Sequence, residues 1–310
     1  MKILITGGAG FIGSHLAERL LKKENDVFII DNFTTGKKEN IPKNSNFIER
    51  DISNINTCTT IFKEFEPDVV VHAAASYKDP NNWYTDTMTN VIGTVNIVKE
   101  SLKCKVKRFI YFQTSLCYGL RPIEQPITLQ HPINPTNSYS ITKTAAERYI
   151  SLSDLNFVSF RLANIYGPRN LSGPPPTFYS NLKKGKLCFV ANTRRDFVFI
   201  NDLLNIVEKA VNGIGNGFYH ISTGRDYSIK EIYDAVANSL NLDIKAKEIE
   251  RNSDDVFSIL LDPTRTIKDF GILPDYSLEK GIEQAVEWYE QTEIKETYTH
   301  LRGFKNQNNI

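Results

Sequence analysis

Tyr139 and Lys143 are the residues whose types and spacing could carry out proton transfer in this sequence. They lie four residues apart in a segment of helical character, 139–150, so the two side chains would share one helix face. A phenol with its ordinary pKa of about 10 is a poor base at neutral pH, but a nearby ammonium favours the phenolate. The pair therefore predicts a general base, Tyr139, assisted by Lys143. Such a pair is also common on exposed helices, so the prediction depends on the rest of the chain.

A glycine-rich segment near the N-terminus has the pattern of a dinucleotide-binding turn. The apolar run Lys2–Thr6 leads into Gly7, Gly10 and Gly13, and a helical pattern and a second apolar run follow. The first glycine permits the tight turn, the second lets the backbone approach a diphosphate, and the third lets helix and strand pack closely. This order of strand, turn, helix and strand predicts a βαβ unit that binds nucleotide phosphates.

Asp31 ends the second apolar run, 18 residues after Gly13. A carboxylate at this position can accept hydrogen bonds from both hydroxyls of an adenosine ribose, and it would repel a 2'-phosphate. We therefore predict NAD rather than NADP as the cofactor. The alternative is a doubly wound domain whose glycine turn binds no nucleotide.

The remaining apolar runs alternate with helical patterns, which predicts a Rossmann-type doubly wound parallel sheet, an α/β fold. Thr114 follows one of these runs, about 25 residues before Tyr139. After residue 166 the pattern changes, and a proline run at 174–176 breaks regular structure. We predict an NAD-binding domain over 1–166 with a returning segment near 196–235. A smaller interleaved substrate-binding domain would cover 167–195 and 236–300, followed by a frayed tail over 303–310.

The composition limits the classes of function that we expect of this protein. The chain of 310 residues has 37 Lys and Arg against 36 Asp and Glu, a net charge of +1 that gives no global reason to expect nucleic acid or an anionic membrane. We find no apolar run of about 18 residues and no signal-peptide pattern, so we expect a cytoplasmic protein. No metal site is predicted, because the cysteines include no Cys-x-x-Cys pair. They are Cys58, Cys104, Cys117 and Cys188.

Taken together, the motifs resemble the extended short-chain dehydrogenase/reductases that act on nucleotide sugars. The resemblance runs from Met1 to about Trp288. Within the family, segments 77–80 and 112–119 are similar to sugar-nucleotide epimerases of bacterial surface-polysaccharide pathways, such as those of O-antigen or capsule. The motifs that carry the resemblance are 6–13, Asp31-Asn32, Asp51-Ile52, 72–74, Asn90, Thr114, Tyr118-Gly119, Tyr139 with Lys143, 161–164, 166–169, 195–198 and 221–224.

The resemblance implies a role for each catalytic residue. Tyr139 would take the proton from a sugar hydroxyl at C4 while hydride leaves that carbon for the nicotinamide. Lys143 would hold the nicotinamide ribose and help keep Tyr139 ionised, and Thr114 would hydrogen-bond the reacting oxygen. These roles fit general acid–base catalysis by a tuned phenol.

The resemblance also implies two sets of binding residues. Asn164 and Arg195 would hold the diphosphate of the substrate, where a guanidinium can bind two oxygens at once. Arg251 belongs to a family motif that is one residue longer in this chain. The cofactor set is Gly7, Gly10, Phe11, Ile12, Asp31, Asn32, Asp51, Ile52, Ala73, Ala74, Asn90, Tyr139 and Lys143. The substrate set is Lys78, Ser115, Asn164, Arg195 and Arg251.

One difference from the motifs of the family limits the reactions that we expect. Its 4,6-dehydratases and decarboxylases carry a glutamate two residues before the tyrosine that corresponds to Tyr118, and this chain has Leu116 there. Without that carboxylate, removal of a proton from C5 lacks its usual base. We therefore predict a nucleotide-sugar 4-epimerase.

The sequence leaves two alternative functions open. One is a net C4 dehydrogenase that releases a 4-keto sugar from a GDP- or UDP-linked hexose or heptose, and the other is a non-catalytic nucleotide-binding protein. The resemblance further implies a homodimer that pairs the helices carrying Asn90 and Tyr139.

Overall fold

A parallel sheet of seven strands lies at the centre of the computed structural model, which describes residues 1–251 and 256–298. In chain order, the strands of the described residues are β1 (Lys2–Thr6), β2 (Asp26–Asp31), β3 (Asn46–Glu49), β4 (Val69–His72), β5 (Arg108–Thr114), β6 (Phe157–Leu162), β7 (Asn164–Tyr166), β8 (Phe189–Ala191), β9 (Arg194–Arg195), β10 (Phe197–Phe199), β11 (Gly217–Ile221), β12 (Tyr227–Ser228), β13 (Lys247–Ile249) and β14 (Ser258–Ile259). The central sheet has the order β3-β2-β1-β4-β5-β6-β11. This order reverses between β1 and β4, where doubly wound sheets leave a crevice for ligands at the carboxyl ends of their strands. The predicted Rossmann-type fold is confirmed.

Helices cover both faces of the sheet. In the described residues they are α1 (Phe11–Leu21), α2 (Ile55–Phe65), α3 (Trp83–Asp86), α4 (Thr94–Lys103), α5 (Ser138–Ser151), α6 (Pro174–Lys183), α7 (Ile200–Val211), α8 (Ile229–Ser239), α9 (Thr264–Phe270) and α10 (Leu278–Gln291). A π-helical segment, Thr87–Gly93, precedes α4, and short 3-10 turns cover Lys38–Asn40 and Ser115–Tyr118. None of the helices in the described part of the chain is long and apolar enough to span a bilayer.

The alternation of side chains along each strand divides the core into two layers. In β1, Ile3 and Ile5 pack with apolar residues of α1 and α7, whereas Leu4 packs on the opposite face with α2, α4 and α5. Because both faces of a covered parallel sheet are buried, its strands are continuous apolar runs. This property made the strands recognisable in the sequence.

The chain after residue 166 builds further elements and also returns to the sheet. β11, which lies within the predicted returning segment near 196–235, pairs with β6 in parallel, with Gly217 opposite Val158. Helices α6, α8 and α10 pack against one another. The division into a cofactor domain and a substrate domain stays a prediction, and the predicted tail at 303–310 lies outside the described residues.

Two elements have irregular local geometry. Ala163 separates β6 from β7, because its N–H donates to β11, while the next N–H, of Asn164, donates to the Asp196 carbonyl at 3.0 Å. The backbone thus changes partner within one residue. The π-helical segment contains Asn90, whose carbonyl accepts from the Thr94 hydroxyl at 2.6 Å. Such wide turns often occur at functional sites.

A buried ion pair fastens α5 to the sheet. The Arg161 guanidinium on β6 donates two hydrogen bonds, of 2.8 and 3.2 Å, to the Glu147 carboxylate on α5, and both side chains are almost fully buried. Ser159 donates a third bond to the same carboxylate at 2.6 Å. Arg161 also donates to the Tyr118 hydroxyl at 2.8 Å, and that hydroxyl is hydrogen-bonded to His220 on β11. One network therefore joins α5, β6, β11 and the turn after β5.

We expect Glu147→Gln to lower the free energy of unfolding by about 3–5 kcal/mol, because it leaves the buried Arg161 charge uncompensated. Urea unfolding measures this difference. Asp234→Asn is the matched control, since it breaks an exposed ion pair with Lys230, where a change of at most about 1 kcal/mol is expected. Equal effects of the two substitutions would contradict the role given to the buried pair.

Candidate active site

A cleft of about 310 Å³ opens where the carboxyl ends of the central strands meet. Most of the predicted site residues line it, although they come from distant parts of the chain. Those that line it are Gly7, Gly10, Phe11, Ile12, Asp31, Asn32, Ile52, Ala73, Ala74, Lys78, Thr114, Tyr139, Lys143 and Asn164. Asp51, Asn90, Ser115, Arg195 and Arg251 lie outside the lining formed by the described residues.

The three glycines of the turn are needed for different reasons. Gly7 has a φ of +68°, and a Cβ there would lie 2.6 Å from the Ala74 nitrogen. A Cβ at Gly13 would lie 2.3 Å from the Gly7 carbonyl oxygen. At Gly10, however, a Cβ would meet only that oxygen, at 3.2 Å. Close contacts within the protein explain why Gly7 and Gly13 are glycines. At Gly10, the absence of a side chain leaves space in the cleft for the phosphates of a ligand.

The N-terminus of α1 faces this space. Its capping position is Gly10, which offers no side-chain acceptor, and the first turn contains no acidic residue. Free N–H groups and the helix dipole at such an end attract anions. Because Gly10, Phe11 and Ile12 line the cleft, the site fits the diphosphate of a dinucleotide.

Asp31 lies at the end of β2 and is held by the backbone. Its two oxygens accept from the N–H groups of Ala9 at 2.9 Å and Phe33 at 2.8 Å. Burial raises the pKa of this carboxyl, and the two hydrogen bonds oppose the shift. A carboxylate has about four lone-pair sites, so acceptor capacity remains for two ribose hydroxyls. Asn32 also lines the cleft and donates to Asp51 at 3.0 Å, which places Asp51 behind it.

The candidate base lies at the start of α5. The helix begins at Ser138 because the Asn137 side chain accepts from the Ser140 N–H at 2.8 Å and the Ser140 hydroxyl accepts from the Asn137 N–H at 3.3 Å. This capping box fixes the first turn, which contains Tyr139. The Tyr139 ring meets the Tyr77 ring edge-on, with centroids 6.2 Å apart.

Burial dominates the ionisation of the tyrosine–lysine pair. It raises the pKa of the Tyr139 phenol, with the charges of Tyr77 and Asp86 acting in the same direction. It lowers the pKa of Lys143 to about 7, opposed by the Glu147 charge. The Lys143 ammonium lies 4.0 Å from the centroid of the Tyr111 ring. Burial therefore opposes ionisation of the phenol in the protein alone, and the predicted help of Lys143 in ionising Tyr139 stays a prediction.

Thr114 and Gln113 end β5 at the floor of the cleft. The Thr114 hydroxyl oxygen accepts from the Leu116 N–H at 3.2 Å, so its own proton can be donated to a ligand. The Gln113 side-chain oxygen accepts from the Thr114 N–H at 2.7 Å, which identifies the other end of the amide as the donor. That buried Nε2 has no hydrogen-bond partner among the described residues. Since buried polar groups are nearly always paired, it indicates a missing ligand acceptor.

Asn90 supports the cleft wall from behind. Its side chain accepts from the Ser76 N–H at 2.8 Å and donates to the Ser76 carbonyl at 3.0 Å. It also donates to the Thr142 hydroxyl on α5 at 3.0 Å. The predicted contact of Asn90 with the cofactor stays a prediction, and the observed contacts join the wall after β4 to α5.

His72 is buried in β4, as expected of a packed histidine. Thr94 donates its proton to the Asn90 carbonyl, so the His72 Nε2–H donates to the Thr94 oxygen at 2.8 Å. The Thr6 hydroxyl then donates to Nδ1 at 2.6 Å. Burial lowers the pKa of His72 to about 3, which keeps the imidazole neutral in this relay.

The predicted substrate residues are dispersed. Asn164 lines the cleft and donates to the Asp196 carbonyl at 3.1 Å. Arg195 lies on β9, where its guanidinium donates to the carbonyls of Arg194 at 2.7 Å and Phe257 at 3.2 Å. Ser115 is buried in the turn after β5, and Arg251 is exposed at the end of a described range. Their predicted roles stay predictions.

Several cleft residues received no role from the sequence. They are Tyr77, Gln113, Arg169, Trp288 and Tyr298. Tyr77 and Gln113 belong to the segments 77–80 and 112–119, so a signal was present, but their burial beside Tyr139 and Thr114 was not visible. Trp288 and Tyr298 follow the last recognised motif, and only the folded chain brings them to the cleft.

These features define a dinucleotide-binding α/β enzyme with a tyrosine and a lysine beside its glycine turn. The chain belongs to the NAD dependent epimerase/dehydratase family, whose profile matches residues 3–221. NAD is accordingly its cofactor, as Asp31 predicts.

Solved structures and curated relatives agree with this membership. The chain is 48% identical to the Bordetella bronchiseptica enzyme WbmH, solved in complex with NAD+, over 94% of this chain and 98% of that one, with a TM-score of 0.91. It is 41% identical to WbmG of the same organism, solved with NAD and UDP, over 97% and 98% of the two chains, with a TM-score of 0.90. A UDP-glucose 4-epimerase of Mycolicibacterium smegmatis is 29% identical over 93% of this chain and 98% of the relative.

We expect Gly10→Ala to reduce the NAD content of the purified protein while changing its free energy of unfolding by less than about 0.5 kcal/mol. The added methyl would touch the Gly7 carbonyl oxygen at 3.2 Å and would otherwise enter the ligand space. Gly13→Ala is the contrasting variant, because its Cβ would overlap the Gly7 carbonyl and destabilise the fold by about 1–3 kcal/mol. Chromatography of released cofactor and urea unfolding of cofactor-free protein measure the two effects. Full NAD content in Gly10→Ala would refute this use of Gly10.

Proposed function

We propose that this protein is a nucleotide-sugar 4-epimerase, which oxidises C4 of the sugar and reduces it again from the opposite face. The observation that carries the proposal is the meeting of Thr114, Tyr139 and Lys143 in one cleft with the glycine turn. Leu116 stands where dehydratases and decarboxylases of the resembling family have a glutamate, so nothing at that position continues the reaction into elimination.

In this mechanism, the Tyr139 oxygen takes the proton of the C4 hydroxyl and later returns it. A bound NAD would supply the acceptor for the C4 hydride and its donor on return, and the positive charge of the oxidised nicotinamide would favour the phenolate. Thr114 donates its free proton to the reacting oxygen, and Lys143 would hold the cofactor ribose. No net electron transfer results, because the ketone is reduced by the hydride that the C4 alcohol gave.

A uridine diphosphate is the nucleotide that the relatives support. WbmG was solved with UDP, and the M. smegmatis relative is named for UDP-glucose. Asn164 in the cleft, and Arg195 and Arg251 outside it, are the proposed diphosphate ligands, with Lys78 and Ser115 nearer the sugar. A place in surface-polysaccharide synthesis and a cytoplasmic location follow from the resemblance and the composition.

We expect Tyr139→Phe to lower the rate of C4 inversion by about 10²–10⁴-fold, the usual loss on removal of a general acid–base group. NMR of the sugar after incubation with UDP-hexoses measures the rate. Tyr84→Phe is the control, since it removes a hydroxyl from a position that is 76% exposed and lies outside α5. Unchanged inversion in Tyr139→Phe would show that another group is the base. Release of a 4-keto sugar by the wild type with stoichiometric NADH would favour the dehydrogenase alternative.

We also propose that the protein forms a homodimer through α4, α5 and the π-helical segment before α4. These elements expose apolar side chains, with 39% of Ile92, 40% of Leu102, 50% of Ile141 and 48% of Tyr149 accessible. Pairing of this surface with a second copy would bury them and place the partner directly behind the catalytic helix.

We expect light scattering to give the mass of two chains for the wild type and of one chain for Ile141→Glu, because a buried unpaired charge opposes association. Ile123→Glu, at a 78% exposed position outside these helices, should remain dimeric. A monomeric wild type would contradict the proposal.

A further inference from the structure

The segment that follows α10 crosses the mouth of the cleft. We name residues 292–298 the strap. Its last residue, Tyr298, lines the cleft together with Tyr77 and Lys78 on one side and residues 171–173 on the other. These two walls are far apart in sequence, since one follows β4 and the other follows β7. The strap is the part of the described chain that contacts both.

On one wall, the strap is held by its backbone. The Tyr298 N–H donates to the Leu171 carbonyl at 2.8 Å, and the Tyr298 carbonyl accepts from the Gly173 N–H at 3.2 Å. The Ser172 hydroxyl donates to the same carbonyl at 3.3 Å. This pairing extends over only a few residues, so it fixes the position of Tyr298 without adding a full strand to a sheet.

On the other wall, the strap is held by side chains. The Lys78 ammonium lies 3.0 Å from the Glu296 carboxylate and 4.9 Å from the centroid of the Tyr298 ring. The Tyr298 ring meets the Tyr77 ring edge-on at 6.4 Å, and Tyr77 meets Tyr139 at 6.2 Å. The strap therefore lies over the end of the cleft that contains the candidate base.

These contacts suit a closure that can open. The side chains of Lys78 and Glu296 are 38% and 53% exposed, and ion pairs in water contribute little to stability. Few buried apolar contacts and short backbone pairing are typical of segments that open locally. A nucleotide sugar can enter only when the mouth is open, whereas the chemistry benefits from a closed site.

We propose that the strap retains the 4-keto sugar between the two hydride transfers, with Tyr298 as the barrier and the Lys78–Glu296 pair as the latch. This inference rests on the proposed epimerase function. A 4-epimerase must let the ketone turn inside the site without losing it. Each ketone that escapes leaves its two electrons on the cofactor as one NADH, since the hydride has no carbonyl to return to. The strap thus separates an epimerase from a dehydrogenase that releases its ketone.

Retention can be measured without relying on overall activity. The NAD-loaded wild type and the variants Tyr298→Ala and Glu296→Gln are incubated with a UDP-hexose that the wild type inverts. Bound NADH is followed by its near-ultraviolet absorbance. Free ketone in the filtrate is reduced with borodeuteride and counted by mass spectrometry. The matched control is Glu293→Gln, which neutralises another acid of the strap, one that is 82% exposed and has no ion pair with Lys78 in the described structure. Thermal unfolding verifies that each variant is folded.

We expect Tyr298→Ala to release about ten times more ketone per inverted sugar than the wild type, equivalent to a barrier lowered by about 1.4 kcal/mol. One bound NADH should accumulate for each ketone released. Glu296→Gln should leak in the same direction but less, and Glu293→Gln should match the wild type.

Two other results would overturn the inference in distinguishable ways. If folded Tyr298→Ala and Glu296→Gln invert the sugar and release no more ketone than the wild type, the strap has no retaining role although the enzyme is an epimerase. If the wild type itself neither inverts any nucleotide sugar nor reduces its cofactor, the proposed function fails, and the inference fails with it.

Discussion

The structure depends on the buried ion pair between Glu147 and Arg161. It joins α5, the helix of the candidate base, to β6 of the central sheet. Through Tyr118 and His220, the network extends to β11, the last strand of that sheet in chain order. Glu147 also lies one helical turn from Lys143, and its charge opposes the loss of the lysine proton on burial. A single carboxylate thus fixes where the helix of the candidate base lies and favours the charged form of its lysine.

Two kinds of constraint shape the cleft. At the glycine turn the backbone sets the limits, because Gly7 and Gly13 let protein segments touch and Gly10 leaves space for a ligand. At the reacting end the side chains set them, since burial keeps Tyr139 neutral and leaves the Gln113 amide without a partner. At the glycine turn, a ligand would fill the space that Gly10 leaves. At the reacting end, it would supply a charge near Tyr139 and an acceptor for the Gln113 amide.

The contacts proposed to retain the 4-keto sugar come from the strap and not from β5 and α5, which carry Thr114, Tyr139 and Lys143. The strap joins the wall after β4 to the wall after β7, and the ring series from Tyr298 through Tyr77 to Tyr139 connects closure with the base. With Leu116 in place of a glutamate, the ketone lacks the usual base for elimination, and the strap restricts its escape from the cleft. The same first half-reaction can therefore lead to inversion.

The sequence by itself determined the elements whose cause is local. The glycine spacing, Asp31 at a strand end and the four-residue spacing of Tyr139 and Lys143 each depend on residues within a turn or two, and all of them line the cleft. Only the tertiary structure shows that burial raises the pKa of Tyr139 and leaves the Gln113 amide donor without a partner among the described residues. It also places Arg195 outside the cleft lining and brings Tyr298 to the cleft. Burial and contacts between residues that are far apart in the chain produce these features. Desolvation and long-range packing have no signature in a short stretch of sequence, because they exist only once distant segments meet.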